Sequence, residues 1–248
     1  MSEIILPTQI VKASTKSPKN LILIAKPKVG KTSLLSKLDN CLLLDLEGGS
    51  DYVDALKIKA SSVKEIKEIG VKIKEAGKPY EYIAVDTITA LEDMCIPYAE
   101  ELYSKSPGGK NWFTDGKIKY GSIINLPNGS GYNWLREAFF KVIEYIKTWA
   151  PKVILVGHIK DVLLEKEGSE INSVELDLTG KLKRISTSQS DAIGYLYRKG
   201  NKNMISFKTS DTVACGARPE HLCNQEFVIS EINENGEYIT HWDKVYID

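Results

Sequence analysis

The sequence predicts an α/β fold built on a mainly parallel sheet, with helices on both faces and antiparallel strands added at the C-terminal edge. Four runs of consecutive apolar residues predict buried strands, at residues 21–24, 42–44, 82–85 and 153–156. Strands that are apolar throughout are typical of parallel sheets covered on both sides. Helical patterns separate these runs, which is the alternation expected of parallel strands joined by crossover helices.

The helices are predicted from apolar residues that recur every three or four positions. Val63, Ile66, Ile69 and Ile73 follow this spacing, with lysines and glutamates between them. A residue pattern of the same kind spans 134–149, and further helices are expected from Lys31 and from Ala90. Beyond Ile193 the short runs 194–197, 204–207 and 226–229 predict the antiparallel strands, and residues 1–18 predict an N-terminal arm or strand.

Two polar stretches interrupt this order, at residues 104–133 and 160–190. The first contains Ser-Pro-Gly-Gly and Pro-Asn-Gly-Ser-Gly, which are turn sequences. Compact domains rarely keep such long irregular segments without a function. We therefore expect both stretches to be functional surface loops.

The composition is that of an ordinary globular protein. The 248 residues are 42% apolar and 27% charged, and the formal net charge is zero, so we expect one domain over residues 1–248. No apolar run approaches the ~18 residues of a membrane span, and the N-terminus lacks the pattern of a signal peptide. We expect a cytoplasmic protein without membrane contact.

A phosphate-binding loop is predicted directly after the first strand. The P-loop pattern is a glycine, four residues, and then Gly-Lys-Ser/Thr, and only the first glycine is replaced here, by Ala25. Backbone N–H groups of such a loop and the following helix N-terminus hold phosphates. We expect ATP with Mg²⁺, with Lys31 on the β- and γ-phosphates and Thr32 on the metal. The expected nucleotide-binding residues are Ala25, Lys26, Pro27, Lys28, Val29, Gly30, Lys31, Thr32 and Ser33.

Two acidic residues at strand ends are candidates for the metal and the attacking water. Ile-Ala-Val-Asp ends in Asp86, the Walker B arrangement in which a carboxylate supports Mg²⁺. The residue after Asp86 is Thr87, so the water-activating glutamate must lie elsewhere. Glu47, in Leu-Asp-Leu-Glu-Gly-Gly, is the candidate general base, and the alternative is a charged residue that merely ends a strand.

Four motifs together resemble the RecA-type recombinase ATPases, and most of all the small phage proteins of the single-strand annealing group. They are the P-loop, Leu-Asp-Leu-Glu-Gly-Gly, Ile-Ala-Val-Asp-Thr and Val-Ile-Leu-Val-Gly-His. The resemblance covers roughly residues 18–220 and implies a RecA-like core that hydrolyses ATP in recombination or annealing. It also implies a ring or filament of copies and, if a phage encodes the chain, the host cytoplasm.

The resemblance implies roles for further residues. Glu47 matches the catalytic glutamate and Asp86 the Walker B acid, while His158 lies where RecA proteins carry a polar γ-phosphate sensor. A histidine that only bonds the backbone at a strand end is the alternative for His158. Arg218, and with it Lys208, is a candidate for a cation supplied to a neighbouring subunit's active site, against the alternative of an ordinary surface residue.

RecA proteins bind single-stranded DNA through two loops, and the polar stretches are this chain's candidates. Cations interleaved with aromatic rings suit strand binding, because the cations follow phosphates while the rings stack on bases. A single-strand DNA-binding protein is a further expected partner. The candidate DNA-binding residues are Lys110, Trp112, Phe113, Lys117, Lys119, Tyr120, Lys181, Lys183 and Arg184.

A different class of protein remains open. Lys26 lies where the MinD/ParA-like ATPases carry a second signature lysine, and those proteins act as switches through protein partners. The zero net charge also favours this alternative, because proteins that hold nucleic acid by charge are usually basic. Glu47 and the positions of the two polar stretches favour the DNA-binding ATPase.

Overall fold

A computed structural model describes residues 6, 8–111, 113–114, 117–119, 121–166, 169–210 and 212–247. The strands are β1 (Asn20–Ala25), β2 (Cys41–Asp45), β3 (Leu56–Lys59), β4 (Tyr82–Asp86), β5 (Phe113–Thr114), β6 (Lys117–Ile118), β7 (Lys152–Lys166), β8 (Ser169–Leu176), β9 (Ala192–Lys199), β10 (Lys202–Ser206), β11 (Gly216–Ala217), β12 (Glu226–Ile232) and β13 (Tyr238–Thr240). The α-helices are α1 (Lys31–Leu35), α2 (Val63–Glu75), α3 (Ile88–Ser104), α4 (Ser130–Ile146) and α5 (Lys181–Gln189).

The main sheet has the order β3-β2-β4-β7-β1-β9-β10-β12-β13, with β8 paired to β7 and β11 to β9. Its pairs from β3 through β9 are parallel, and those from β9 through β13 are antiparallel. The predicted fold class is therefore confirmed in its architecture: a mainly parallel α/β sheet with antiparallel strands at the C-terminal edge. The strand that ends in Asp86 and the strand before the P-loop are separated by one strand, β7.

Two apolar clusters cover the two faces of the sheet. Helices α2, α3 and α4 pack on one face, through residues such as Ile66, Leu91 and Phe139. On the other face α1 packs with the C-terminal residues Trp242, Val245 and Tyr246. The N-terminal and C-terminal parts of the chain thus meet behind the P-loop, a contact that the spacing of apolar residues did not predict.

The second polar stretch differs from the prediction. Residues 160–190 were expected to form a loop, but β7 continues to Lys166, pairs antiparallel with β8, and is followed by the helix α5. The base of this hairpin reaches the core through Ile159 and Leu176, whereas the described side chains at 160, 161 and 163 are exposed. A ribbon that water reaches from both faces needs no continuous apolar run, so the usual sign of a buried strand is missing.

Smaller differences concern the N-terminal arm and the first polar stretch. Among the described residues 6 and 8–18 there is no strand, and α4 begins at Ser130 rather than at residue 134. The rest of 104–133 is irregular as predicted, with short 3-10 turns and the two-residue strands β5 and β6. Buried Ile123 and Leu126 fix this stretch to the core.

Candidate nucleotide-binding site

The phosphate loop joins β1 to α1 and has the backbone that its sequence requires. Gly30, the residue before α1, has a φ of 99°, in the left-handed region that favours glycine. Ala25 is the last residue of β1 and pairs with His158 of β7 and Leu196 of β9. An extended strand residue needs no glycine, so alanine fits where the P-loop pattern has its first glycine.

Lys31 lies buried at the start of α1 and points toward the acidic side of the cleft. Its Nζ donates to the carbonyl oxygen of Lys26 at 3.1 Å and lies 3.4 Å from His158 Nδ1. Burial lowers the pKa of Lys31, while the charges of Asp86 and Glu47 act in the opposite direction. An anion in the cleft would offset this cost of burial, as expected of a phosphate-binding lysine.

Thr32 and Asp86 meet on the same side of the cleft. The Thr32 hydroxyl donates to Asp86 Oδ2 at 2.8 Å, and Asp86 is the last residue of β4. Burial raises the pKa of Asp86, whereas the Thr32 hydrogen bond and the Lys31 charge act against this rise. A hydroxyl and one carboxylate are the hard oxygen ligands with which proteins hold Mg²⁺ beside phosphates, so these residues fit the expected metal.

Glu47 is held by two side chains, one directly after β4 and one within β7. The Thr87 hydroxyl donates to Glu47 Oε1 at 2.5 Å, and His158 Nε2 lies 2.9 Å from the same oxygen. Lys31 can only donate and an ionised Glu47 can only accept, so a neutral His158 with its proton on Nε2 satisfies both contacts. The result is a continuous chain from Lys31 through His158 to Glu47.

Asp45 organises the turn that carries Glu47, a role that the sequence analysis missed. This buried carboxylate accepts from the amides of Glu47, Gly48, Gly49 and Ser50 at 2.7 to 3.3 Å, and from the Ser50 hydroxyl at 2.5 Å. Burial alone would raise the pKa of Asp45, but these hydrogen bonds together lower it. The signal was present in the sequence: Gly-Gly three residues after an aspartate indicates a turn, and aspartate side chains accept hydrogen bonds from turn amides.

The P-loop residues, Glu47, Asp86 and His158 line a cleft of about 440 Å³, on the side of the sheet where β1 and β4 end. It also contains Tyr52, whose side chain is 97% exposed, and Val53, neither of which was predicted. The lining residues are Pro27, Lys28, Gly30, Lys31, Thr32, Ser33, Glu47, Gly49, Tyr52, Val53, Asp86 and His158.

Some predicted residues lie elsewhere in this chain. The Arg218 guanidinium donates to the Ser188 carbonyl at 2.8 Å and pairs with Asp191 at 3.5 Å, and Arg218 is absent from the cleft lining. The Lys208 ammonium pairs with Glu226 at 3.8 Å. Any contribution of these cations to catalysis would therefore be to another copy. The Lys26 side chain also leaves the cleft and pairs with Asp161 of β7 at 3.5 Å.

The candidate DNA-binding residues fall into two groups. Lys110, Lys117 and Lys119 are exposed on the first polar stretch, and Phe113 belongs to β5, whereas Trp112 and Tyr120 lie outside the described residues. Lys181 and Arg184 are exposed on α5, and Lys183 pairs with Glu175. The correction for the second group is that a helix, rather than a loop, presents these cations.

A Gly-Lys-Thr loop between a buried strand and a helix, with a Walker B acid hydrogen-bonded to the threonine, defines a P-loop NTPase. Comparison with known families agrees: residues 17–218 match the model of an AAA domain, so the chain belongs to that family. The crystal structure of the RadB recombinase is similar to this chain, with 13% identity, a TM-score of 0.44, and coverage of 89% of this chain and 90% of that chain. No curated protein matches the chain. The phage annealing subgroup stays a prediction.

Proposed function

We propose that this protein is a Mg²⁺-dependent ATPase that acts as an oligomer on single-stranded DNA, in recombination or annealing. The observation that carries the proposal is the chain from Lys31 through His158 to Glu47. It joins a phosphate-binding lysine to a candidate general base, beside the pair formed by Thr32 and Asp86. No helix of the described residues is long and apolar enough to cross a membrane.

Binding of the triphosphate rests on the loop and on Lys31. The backbone N–H groups of Lys26, of residues 28–30 and of the start of α1 would hold the phosphate oxygens. Lys31 would exchange its contacts with Lys26 and His158 for the β- and γ-phosphates. Thr32 and Asp86 would hold Mg²⁺. When bound, this ion would neutralise charge on the β- and γ-phosphate oxygens.

Hydrolysis requires a base that is correctly placed for the attacking water. Glu47 would accept the proton of that water, and the hydrogen bonds from Thr87 and His158 keep its carboxylate oriented. His158 contacts both Lys31 and Glu47. If Lys31 moved toward a γ-phosphate, its contact with His158 would change, and the hydrogen bond that orients Glu47 would change with it. This supports a sensor role for His158. The alternative, a histidine that bonds only the backbone, does not account for the contact between its side chain and Glu47.

The proposed DNA surface is supported by the meeting of the two polar stretches. Residues 128–136 and 179–182 line one cleft of about 430 Å³, which contains the cations Arg136 and Lys181. The net charge is zero, so one copy would bind DNA weakly. An oligomer that repeats this cleft along a strand would bind it more strongly, because each copy adds phosphate contacts.

A direct route connects this surface to the nucleotide site. Helix α3 begins after Thr87, and two of its side chains contact the segment before α5: the Thr89 hydroxyl donates to the Asp177 carbonyl at 3.3 Å, and Glu92 accepts from the Thr179 amide at 3.1 Å. The Asp177 amide in turn donates to the His158 carbonyl at 2.9 Å. ATP is therefore expected to change the affinity for DNA.

The alternative is a MinD/ParA-like switch that acts through protein partners. Its main support in the sequence is Lys26, but this side chain is paired with Asp161 of the same chain.

Binding of labelled single-stranded DNA, with and without ATP, separates the two functions. We expect ATP to raise DNA affinity in the wild type and to have no effect in Lys31→Ala, where the phosphates lose their main countercharge. Lys26→Ala, which keeps the carbonyl that Lys31 contacts, is the control and should behave as wild type. Absence of DNA binding in every nucleotide state would favour the switch.

A further inference from the structure

The P-loop helix α1 is short and receives a hydrogen bond from the far end of the chain. Helix α1 has five residues, and the last carbonyls of a helix lack partners within it. The indole Nε1 of buried Trp242 donates to the Leu34 carbonyl at 3.0 Å, and the Lys37 amide lies 3.4 Å from the same oxygen. Trp242 therefore supplies a shorter bond to Leu34 than Lys37 does, at the C-terminal end of the helix that carries Lys31 and Thr32.

A second group from the same part of the chain contacts the other end of the helix. A Cβ built on Gly30 would lie 3.4 Å from Asn203 Nδ2, so this amide abuts the left-handed residue that opens α1. Asn203 Nδ2 donates to the Ser230 hydroxyl at 3.0 Å, and the Tyr238 hydroxyl donates to the same oxygen at 2.8 Å. Strands β10, β12 and β13 thus hold one side chain against the start of the helix.

Trp242 is itself fixed in place by aromatic packing. Its ring stacks on Tyr246 at 5.9 Å between centroids, and Tyr246 lies 4.8 Å from Tyr82, the first residue of the strand that ends in Asp86. The Ile247 amide also donates to the Ser17 hydroxyl at 2.9 Å, just before β1. The C-terminal segment is therefore anchored to both strands that carry the nucleotide site.

We propose that residues 226–247 position the phosphate-binding loop, with Trp242 as the main positioning residue. The proposal rests on the proposed function, because it assumes that α1 binds a triphosphate. Residues 226–247 lie beyond the range of 17–218 that matches the AAA domain. The contacts that they make with α1 therefore come from outside the matched domain. The segment touches α1 only from behind, and none of its residues lines the cleft. Residues 226–247 therefore fix the positions of Lys31 and Thr32 and take no part in the chemistry at Glu47.

The test compares two tryptophan-to-phenylalanine changes that differ in one hydrogen bond. Trp242→Phe keeps a ring but loses the bond to Leu34. Trp149→Phe is the matched control, since Trp149 is also buried and its Nε1 has no hydrogen-bond partner among the described residues. Calorimetry with Mg²⁺ and ATP, at a temperature where all variants are folded, should give a Kd raised about 2- to 12-fold for Trp242→Phe, the range that one net hydrogen bond contributes. The Kd of Trp149→Phe should equal that of wild type.

Steady-state kinetics supply a readout that a purely structural role would not move. We expect Trp242→Phe to raise KM with kcat nearly unchanged, because loss of positioning weakens binding of ATP without removing the base. A lowered melting temperature with wild-type Kd and KM would overturn the proposal. Wild-type protein that binds no ATP would instead overturn the proposed function.

A milder variant keeps the proposal testable if Trp242→Phe does not fold. Tyr238→Phe removes only the hydroxyl that donates to Ser230, at a half-buried position, and should raise the Kd for ATP in the same direction by a smaller factor. An unchanged Kd for a folded Tyr238→Phe, with Trp242→Phe unfolded, would assign the segment to stability alone and overturn the positioning role.

Discussion

Single residues at the nucleotide site show how a departure from a motif can be neutral. Ala25 replaces the first glycine of the P-loop pattern, and it does so at a buried strand position paired on both sides. The left-handed backbone falls instead on Gly30 and on Lys28, whose φ is 62°. The phosphate binding that we propose for the loop therefore rests on Gly30, Lys31 and Thr32, and the backbone at position 25 does not require glycine.

Glu47→Gln tests the base at this scale. Glutamine keeps an oxygen that can accept from Thr87 but cannot take a proton from water, so hydrolysis should slow by ~10²-fold or more while ATP still binds. Single-turnover hydrolysis and calorimetry on the same preparation separate the two effects. Thr87→Ser keeps the hydroxyl and serves as the control. Turnover near the wild-type rate would show that Glu47 is not the base.

At the scale of secondary structure, the turn after β2 depends on Asp45. Asp45→Asn removes the charge that five hydrogen bonds converge on, and bonds to a charged group contribute about 1.5–3 kcal/mol each. We expect a lower free energy of unfolding and a slower ATPase, since Glu47 loses its fixed position. The lowered pKa of Asp45 means that its carboxylate stabilises the fold above the unfolded-state value of about 4 and loses this effect as pH falls below it.

Unfolding by urea at several pH values measures this effect. The difference in stability between wild type and Asp45→Asn should be complete at pH 6 to 7 and should shrink below about pH 4, where the wild-type carboxylate takes up a proton. The Asp39→Asn change is the control, at an exposed aspartate that accepts no hydrogen bond from a turn amide among the described residues. A difference that does not vary with pH would contradict the role given to the charge of Asp45.

The cleft between the starts of α4 and α5 gives a second prediction at this scale. Replacing Arg136 and Lys181 together by alanine should weaken binding of single-stranded DNA and lower the salt dependence by about two phosphate contacts. Lys72→Ala is the control, because this lysine lies on α2, pairs with Glu75 and is not among the candidate DNA-binding residues. Titrations at several salt concentrations give both quantities. An unchanged salt slope in the double variant would move the DNA surface away from this cleft.

The sequence predicted the elements that are buried and missed those that are not. Strands β1, β2 and β4 were found within one or two residues because each is an unbroken apolar run inside the core. Strand β3 was missed, since all four of its residues, Leu56–Lys59, are exposed at the sheet edge.

At the site, Lys31, Thr32 and Asp86 follow from local motifs. The contacts of His158 with Glu47, and of Trp242 with Leu34, join residues more than 100 positions apart, and no local pattern encodes them.

At the scale of the whole molecule, the position of Arg218 makes a prediction about assembly. Within one copy it is held by Ser188 and Asp191, away from the cleft. If it completes the site of a neighbouring copy, ATPase activity per molecule should rise with protein concentration, and Arg218→Ala should abolish that rise.

Mixing two inactive variants provides the decisive control for this prediction. Arg218→Ala carries an intact Glu47, and Glu47→Gln carries an intact Arg218, so mixed assemblies contain some complete sites and should recover part of the activity. Recovery in the mixture cannot come from a surface arginine. Activity of Arg218→Ala equal to that of wild type at every concentration would contradict a role in trans.

We expect strand β7, which has His158 near its middle, to transmit a change at the nucleotide site to the hairpin that it forms with β8. Its first half pairs with β1 on one side and β4 on the other, and from His158 to Lys166 the strand extends about 26 Å beyond that pairing. A tilt of about 5° at His158 would therefore displace the hairpin tip by about 2 Å, as the rise per residue of a strand implies. Spin labels on Leu163→Cys and on the exposed natural Cys223 would report this displacement as a change of distance when a non-hydrolysed ATP analogue binds. An unaltered distance would mean that the arm is stationary and that the nucleotide signals by another route.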